Sequence, residues 1–261
     1  MATDYTADAN TEAAYFMNEA SGNLDDASSN NNAMVATGSP GTYNTTGQFG
    51  GAFDFTQQNN TGFSSTDIAA LTNIRTLSVG AWTAPDTDGA GDGTQVGSVI
   101  VSHYNGADGW NFGLATGAGP VNFSFQYQWT GGTGKWTTST APVAFTPALQ
   151  HLAATYDAGA STNDPIFYYN GVSQALTENN TPASSPDDDT GAELTIGIKG
   201  DGSGIGSTGE YDGDIDEVFV YNGILTATQI NELMDNGLDG AQAGTTKIVS
   251  ALTMTSILAS A

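Results

Sequence analysis

Gly209-Glu210-Tyr211-Asp212-Gly213-Asp214-Ile215-Asp216-Glu217-Val218-Phe219-Val220-Tyr221-Asn222-Gly223-Ile224-Leu225 joins a turn, an acidic strand and a helix entry in one run. Strand periodicity from Asp214 to Tyr221 sets Ile215, Glu217, Phe219 and Tyr221 against Asp214, Asp216, Val218 and Val220, so both faces are apolar after Glu217. A strand of that kind lies inside a sandwich. Asp214 and Asp216 share one side of it, and like charges so placed need water, a cluster of donors or a cation nearby. A helix follows: Thr226 is the N-cap with Gln229 three residues on, Leu225 and Ile230 are placed for a hydrophobic staple, and Gly237 closes it.

Upstream, short strands alternate with turn signals. Gly47 to Phe55 is entered through Gly50-Gly51, and Thr76 to Thr83 alternates Leu77, Val79 and Ala81 against Ser78, Gly80 and Trp82. Val96 to Tyr104 and Trp110 to Leu114 flank Asn105-Gly106, a hairpin signal repeated at Asn170-Gly171. Val121 to Trp129 sets Val121, Phe123, Phe125, Tyr127 and Trp129 against Asn122, Ser124, Gln126 and Gln128, which predicts one dry and one wet face. Strands at Trp136, Leu149 to Asp157, Ile166 to Asn170 and Glu193 to Ile198 complete the set. Many short strands, regular turns and one late helix predict an all-β sandwich.

Several of these blocks, in order, resemble one family. The run Gly-x-Ile-Asp-Glu-Val-x-Val-Tyr-x-x-x-Leu-Thr-x-x-x-Ile ending at Ile230 looks like the terminal signature of laminin-G-like, concanavalin A-like jelly rolls. The opening aromatic strand with Glu19-Ala20-Ser21-Gly22 and Asp26-Ala27-Ser28-Ser29-Asn30, the strand Leu77-Ser78-Val79-Gly80-Ala81-Trp82, and His151-Leu152-Ala153-Ala154-Thr155-Tyr156-Asp157 with Tyr169-Asn170-Gly171 are similar to further family blocks. The resemblance implies a jelly-roll β-sandwich of two antiparallel sheets with one short C-terminal helix. It covers roughly Ala13 to Gly237, so the domain is expected at residues 1–238; outside the resemblance, 239–261 reads as a linker and an apolar docking tail, Ile248 to Leu258, that fits either a short helix or an edge strand.

Composition narrows the partners. The 261 residues carry 4 Lys plus Arg against 28 Asp plus Glu, a formal charge of −24 that repels nucleic acid and anionic membranes. There is no cysteine, hence no disulfide framework. The N-terminus lacks the basic and apolar regions of a Sec-type signal, and no apolar run reaches the roughly 18 residues of a membrane span.

Candidate sites follow from residue chemistry. Tyr127, Trp129 and Trp136, which flank the glycine-rich turn Thr130 to Lys135, and Trp110 are candidates for stacking on sugar rings, with core packing as the alternative. Relatives in the family hold a structural calcium between the opening turn and the last strand, which maps onto Glu19, Asp26 and Asp216. Asp86 to Gly93 reads as an acidic loop that fails the EF-hand spacing, and Asp187-Asp188-Asp189 as a solvated run. Gly204 to Gly209 spells a dinucleotide-type glycine pattern, but a strand follows where a helix is needed.

The glucanases of this fold carry Glu-x-Asp-x-x-Glu on one strand. Here the match is Asp214 to Phe219, with Phe219 where the second glutamate belongs. The expectation is a non-enzymatic surface module. The leading form is a virion component, such as a phage capsid-decoration or adhesion protein, on the virion surface, partnered by other virion proteins or by itself through the tail, and able to bind glycans. The alternative is a secreted, extracellular calcium-dependent lectin or adhesin.

Overall fold

The structure is a computed structural model that describes residues 2–39, 41–57, 61–66, 68–88, 97–117, 119–202, 205–206 and 208–240. The strands are β1 (Thr11–Tyr15), β2 (Val35–Thr37), β3 (Gly41–Thr46), β4 (Gly51–Phe55), β5 (Gly62–Ser64), β6 (Thr76–Pro85), β7 (Ser98–Tyr104) and β8 (Gly109–Leu114). They continue with β9 (Phe123–Tyr127), β10 (Gly134–Thr138), β11 (Gln150–Asp157), β12 (Ile166–Tyr169), β13 (Val172–Gln174), β14 (Leu176–Asn180), β15 (Glu193–Ile196) and β16 (Gly213–Tyr221), followed by α1 (Ala227–Asn236). The expected apolar tail and most of the Asp86 to Gly93 loop lie outside the described residues.

Two eight-stranded antiparallel sheets form. The first runs β13-β12-β11-β6-β16-β4-β3, with β1 also on β16, and the second runs β14-β10-β9-β8-β7-β15-β5-β2. The first half of β16 pairs with β4 and the second half with β1, so the acidic strand is central, with β6 on its other side. Between the sheets lies one core that takes Leu77, Val79 and Ala81 from β6, Phe112 from β8, Phe123 and Phe125 from β9, and Leu152 and Ala154 from β11. Large rings fill it edge to face: Phe53 and Phe63 are 4.8 Å apart, Phe123 and Phe167 4.8 Å. Gly197, at φ +80°, lies so close to Phe55 that a β-carbon there would stand 2.1 Å from the ring.

A second, smaller core covers the outward face of the first sheet. Tyr5, Ala14, Ala153, Tyr168, Phe219, Leu225, Ile230, Leu233 and Leu238 pack there under α1. The helix begins as its sequence dictates: Thr226 and Gln229 form a capping box, and Gly237 at φ 75° ends it. Tyr5 N–H donates to Leu238 O over 2.8 Å, which ties the opening segment to the helix end.

β16 departs from simple alternation. Its pairing with β6 shifts register between Asp216 and Phe219, and Glu217 sits at φ 51°, the geometry of a β-bulge. The extra residue reverses the parity. Ile215, Val218 and Val220 enter the main core, whereas Phe219 turns outward beneath α1. The expected grouping of Phe219 with Ile215 is therefore corrected by one unpaired residue. Gly80 on β6 makes room for it, since a β-carbon there would be 2.6 Å from the Phe219 ring.

The expected wet face of β9 is also corrected. Ser124 and Gln126 point away from the core but are buried, in a polar row that includes Asn111 of β8 and Ser102 of β7. The side-chain amide of Asn111 has no hydrogen-bond partner.

Candidate functional site

The four aromatic residues expected to stack on sugars are all in the core. Trp110 and Trp136 are fully buried, and Tyr127 and Trp129 nearly so. Trp136 packs 5.0 Å from Tyr156 and 6.3 Å from Phe125, and its Nε1–H donates to Asp164 Oδ1 over 2.7 Å. The Tyr127 hydroxyl donates to Ile74 O over 2.6 Å and accepts from Arg75 at 3.2 Å. Trp110 stacks on His103 at 6.0 Å. Trp110, Tyr127 and Trp136 face inward on β8, β9 and β10 because that alternation fills the sandwich, and Trp129, bridged to Pro186 just past β9, packs into the same core, so none presents a face to a ligand.

The three expected calcium ligands have separate environments. Asp26 is saturated: Oδ1 accepts from Ala14 N–H (2.9 Å) and Ser28 N–H (2.8 Å), and Oδ2 from Ser28 Oγ and Asn32 N–H (both 2.8 Å). It folds the opening turn onto β1. Glu19 Oε1 accepts from Asp25 N–H over 2.9 Å while Oε2 is buried without a partner, beside an open hollow of about 280 Å³ shared with Asn18 and Asp25. Asp216 is fully buried; Oδ2 accepts from Gln48 N–H (2.7 Å) and Phe49 N–H (3.2 Å), and Oδ1 has no partner. Among the described residues no three His, Asp or Glu side chains gather as a metal centre. Two of the three thus retain a free, buried, hard oxygen of the kind calcium takes, and Asp26 does not.

Electrostatics set the first sheet's outward face apart. Burial raises the Asp216 carboxyl to about 7 against the pull of the Phe49 and Gln48 N–H groups. Burial, and then the neighbouring Asp216, raise Glu217 to about 9, although its Oε2 accepts from Leu238 N–H over 2.7 Å. Asp54 is also pushed up, first by burial and then by Asp214, which stands opposite it across β4 and β16. His151, fully buried beside Trp82 at 5.3 Å, is pushed down to about 3 by burial. Asp54, Asp216, Glu217 and the His151 imidazole are thus pushed towards their neutral forms.

The glucanase-like positions are occupied as follows. Asp214 accepts from Thr45 Oγ1 over 2.7 Å, Asp216 is engaged by the Gly47 to Gly50 turn, and Phe219 lies under the helix.

Asp189, expected to be solvated, is 2 % exposed. Oδ2 lies 3.4 Å from His103 Nδ1 and Oδ1 accepts from Asn73 N–H, so one aspartate of the acidic run joins two sides of the sandwich. A carboxylate run adjacent to a buried histidine's strand carries no period that would reveal this.

An open groove of about 410 Å³ crosses the first sheet's outward face where β11 passes into β12. Asp157, Asn163, Asp164, Ile166 and Ile224 line it. Sequence reasoning missed it because its two walls, residues 162–166 and Ile224, come from loops far apart in the chain.

Comparisons with known proteins agree with this architecture. No curated protein matches the sequence. Among solved structures, the binding domain of Paraclostridial Mosquitocidal Protein 1 is similar at a TM-score of 0.61 and 12 % identity, over 87 % of this chain and 52 % of that one. Domain 4 of AbnA, a GH43 extracellular arabinanase from Geobacillus stearothermophilus solved with arabinotriose, is similar at 0.53 and 22 % identity, over 86 % and 98 % of the two chains. The botulinum neurotoxin serotype D ligand binding domain, solved with N-acetylneuraminic acid, gives 0.56 and 12 %, over 86 % and 50 %. The chain thus spans about half the length of the toxin binding domains, and all three likenesses are of fold. The family model of the concanavalin A-like lectin/glucanases superfamily matches residues 55–231, more than half of the sequence, from β4 into α1. With the two jelly-roll sheets and the terminal strand and helix in place, the chain belongs to the concanavalin A-like lectin/glucanases superfamily.

Proposed function

We propose that this chain is a non-catalytic binding module of carbohydrate-binding type. The observation that carries the reading is the use made of β16. The strand that bears the carboxylate pair in the glucanase pattern here spends Asp216 on backbone N–H groups and buries Phe219 under a helix. Retaining hydrolysis needs two carboxyls about 5–5.5 Å apart across the scissile bond. Phe219 supplies none. The sugar complexes of the arabinanase domain and the neurotoxin domain support a saccharide as ligand class. The test is a glycan array with the full chain, run beside a hydrolysis assay on each bound glycan; retained, uncleaved glycans are the expected result.

The setting we favour is a virion surface, as a decoration or adhesion protein. A charge of −24 suits a solvated outer surface, and the apolar stretch Ile248 to Leu258 suits docking on a second chain or a copy of this one. Deleting residues 248–261 is then expected to abolish assembly, read as solution mass by light scattering; an unchanged mass would remove this part. The second reading, a secreted calcium-dependent lectin, is favoured by the unpartnered oxygens of Asp216 and Glu19. Calcium taken by the Asp216 carboxylate would offset the cost of burying it.

A further inference from the structure

We infer that the groove between the β11–β12 connection and the loop before α1 is the saccharide site, and that it takes neutral sugars. This rests on the binding-module reading above.

Three acceptors converge on the groove. Asp157 Oδ1 accepts from Gly159 N–H over 2.8 Å, and Asp164 Oδ1 accepts from Trp136 Nε1–H over 2.7 Å. Each carboxylate is thereby fixed by one oxygen, which leaves the other for a ligand. Asn163 is fixed the same way, since its Nδ2 donates to Asp157 O over 3.0 Å and its carbonyl oxygen is left over. Side chains held by one atom and free at another are pre-organised to bind.

The remaining surface is apolar. Ile166 and Ile224 are 46 % and 44 % exposed, two of the four large hydrophobic side chains that the described residues leave open to solvent. A ligand must therefore present several hydroxyl donors on one side and a C–H surface on the other, which is the chemistry of a pyranose or furanose ring. The size agrees: about 410 Å³ falls within the range of small-molecule pockets, about 300–1,000 Å³, whereas a protein partner needs roughly 800 Å² of surface on each side.

Charge selects among sugars. The groove lining includes two aspartates and neither Lys nor Arg, in a chain of net charge −24. Sialic and uronic acids would be repelled, whereas vicinal hydroxyls of neutral sugars can donate to Asp157 and Asp164.

The test is a titration of the full chain with neutral arabino-, gluco-, manno- and galacto-oligosaccharides and with matched sialylated or uronic ones, followed by calorimetry and by tryptophan emission. Because Trp136 is bonded to Asp164, a sugar in the groove is expected to shift that emission. Asp157→Asn with Asp164→Asn keeps both internal bonds and removes the two free acceptors, so affinity for the neutral sugar is expected to fall about tenfold or more. Ile224→Ser is expected to weaken it as well, and an unchanged thermal transition in each variant confirms the fold. Neutral-sugar binding that these variants leave unchanged would overturn the groove assignment while the module reading stands. Binding of anionic sugars alone would overturn the selectivity and the site. Binding of no glycan at all would overturn both readings.

Discussion

The Trp136 indole N–H donates to Asp164 Oδ1 over 2.7 Å, and so joins a fully buried ring of the main core to a loop carboxylate on the groove. Asp164→Ala leaves that N–H without a partner, a loss of about 1–3 kcal/mol. Asp164→Asn retains an acceptor and is expected to stay within about 0.5 kcal/mol of the wild type. Urea denaturation of the two variants checks the difference.

The pair His103 and Asp189 gives a second expectation. Asp189→Ala removes the acceptor for the part-buried Asn73 N–H and the carboxylate 3.4 Å from the buried His103 Nδ1. A loss of about 2–4 kcal/mol follows, measured as a fall in the urea midpoint. A solvated aspartate would give a change within about 0.5 kcal/mol.

Calcium separates the residues once grouped together. On the calcium-dependent lectin reading, millimolar calcium is expected to raise Tm and chelator to reverse it, because a cation bound only by the folded state stabilises it. Asp216→Asn should abolish the shift, whereas Asp26, whose oxygens already accept four bonds, affects stability with or without calcium. Differential scanning calorimetry with and without chelator reads both effects.

His151 sets an acid limit. Its folded pKa is lowered to about 3 by burial, below the ordinary histidine value of 6.5. The unfolded chain therefore binds the proton first as pH falls. The stability contributed by neutral His151 is complete above about pH 6.5 and is lost progressively as pH falls towards about 3. His151→Gln should flatten the urea midpoint between pH 6.5 and 4, a window in which the wild type loses about 2 kcal/mol or more from this group.

Much of this fold can be read from local pattern. Thr226, Gln229 and Gly237 announce α1 by capping chemistry alone, and Asn105 fixes its hairpin by accepting from Ala107 and Asp108 N–H. The bulge at Glu217 could not be read, because nothing in an alternating run reveals that one residue will stand unpaired at φ 51°. That residue decides which face Phe219 takes. The edge strands β2, β13 and β14 are short and largely exposed, so they lack the apolar period that marks their neighbours. The aromatic residues were ambiguous for a physical reason: Trp136 and Trp129 flank a glycine turn in sequence, yet Trp136 points inward by its place on β10 and Trp129 is drawn into the core beside its bridge to Pro186. The groove needed the fold, since Asp157 and Ile224 meet only when β11 and β16 lie in one sheet with β6 between them.

The central claim is sugar binding without cleavage. The measurement that addresses it most directly is calorimetric titration of the full chain with the neutral oligosaccharide that an array retains, with product analysis of the same sample after prolonged incubation. Saturable binding with the oligosaccharide recovered intact is the predicted result. Shortened sugars in that sample, or no heat with any glycan, would contradict the account.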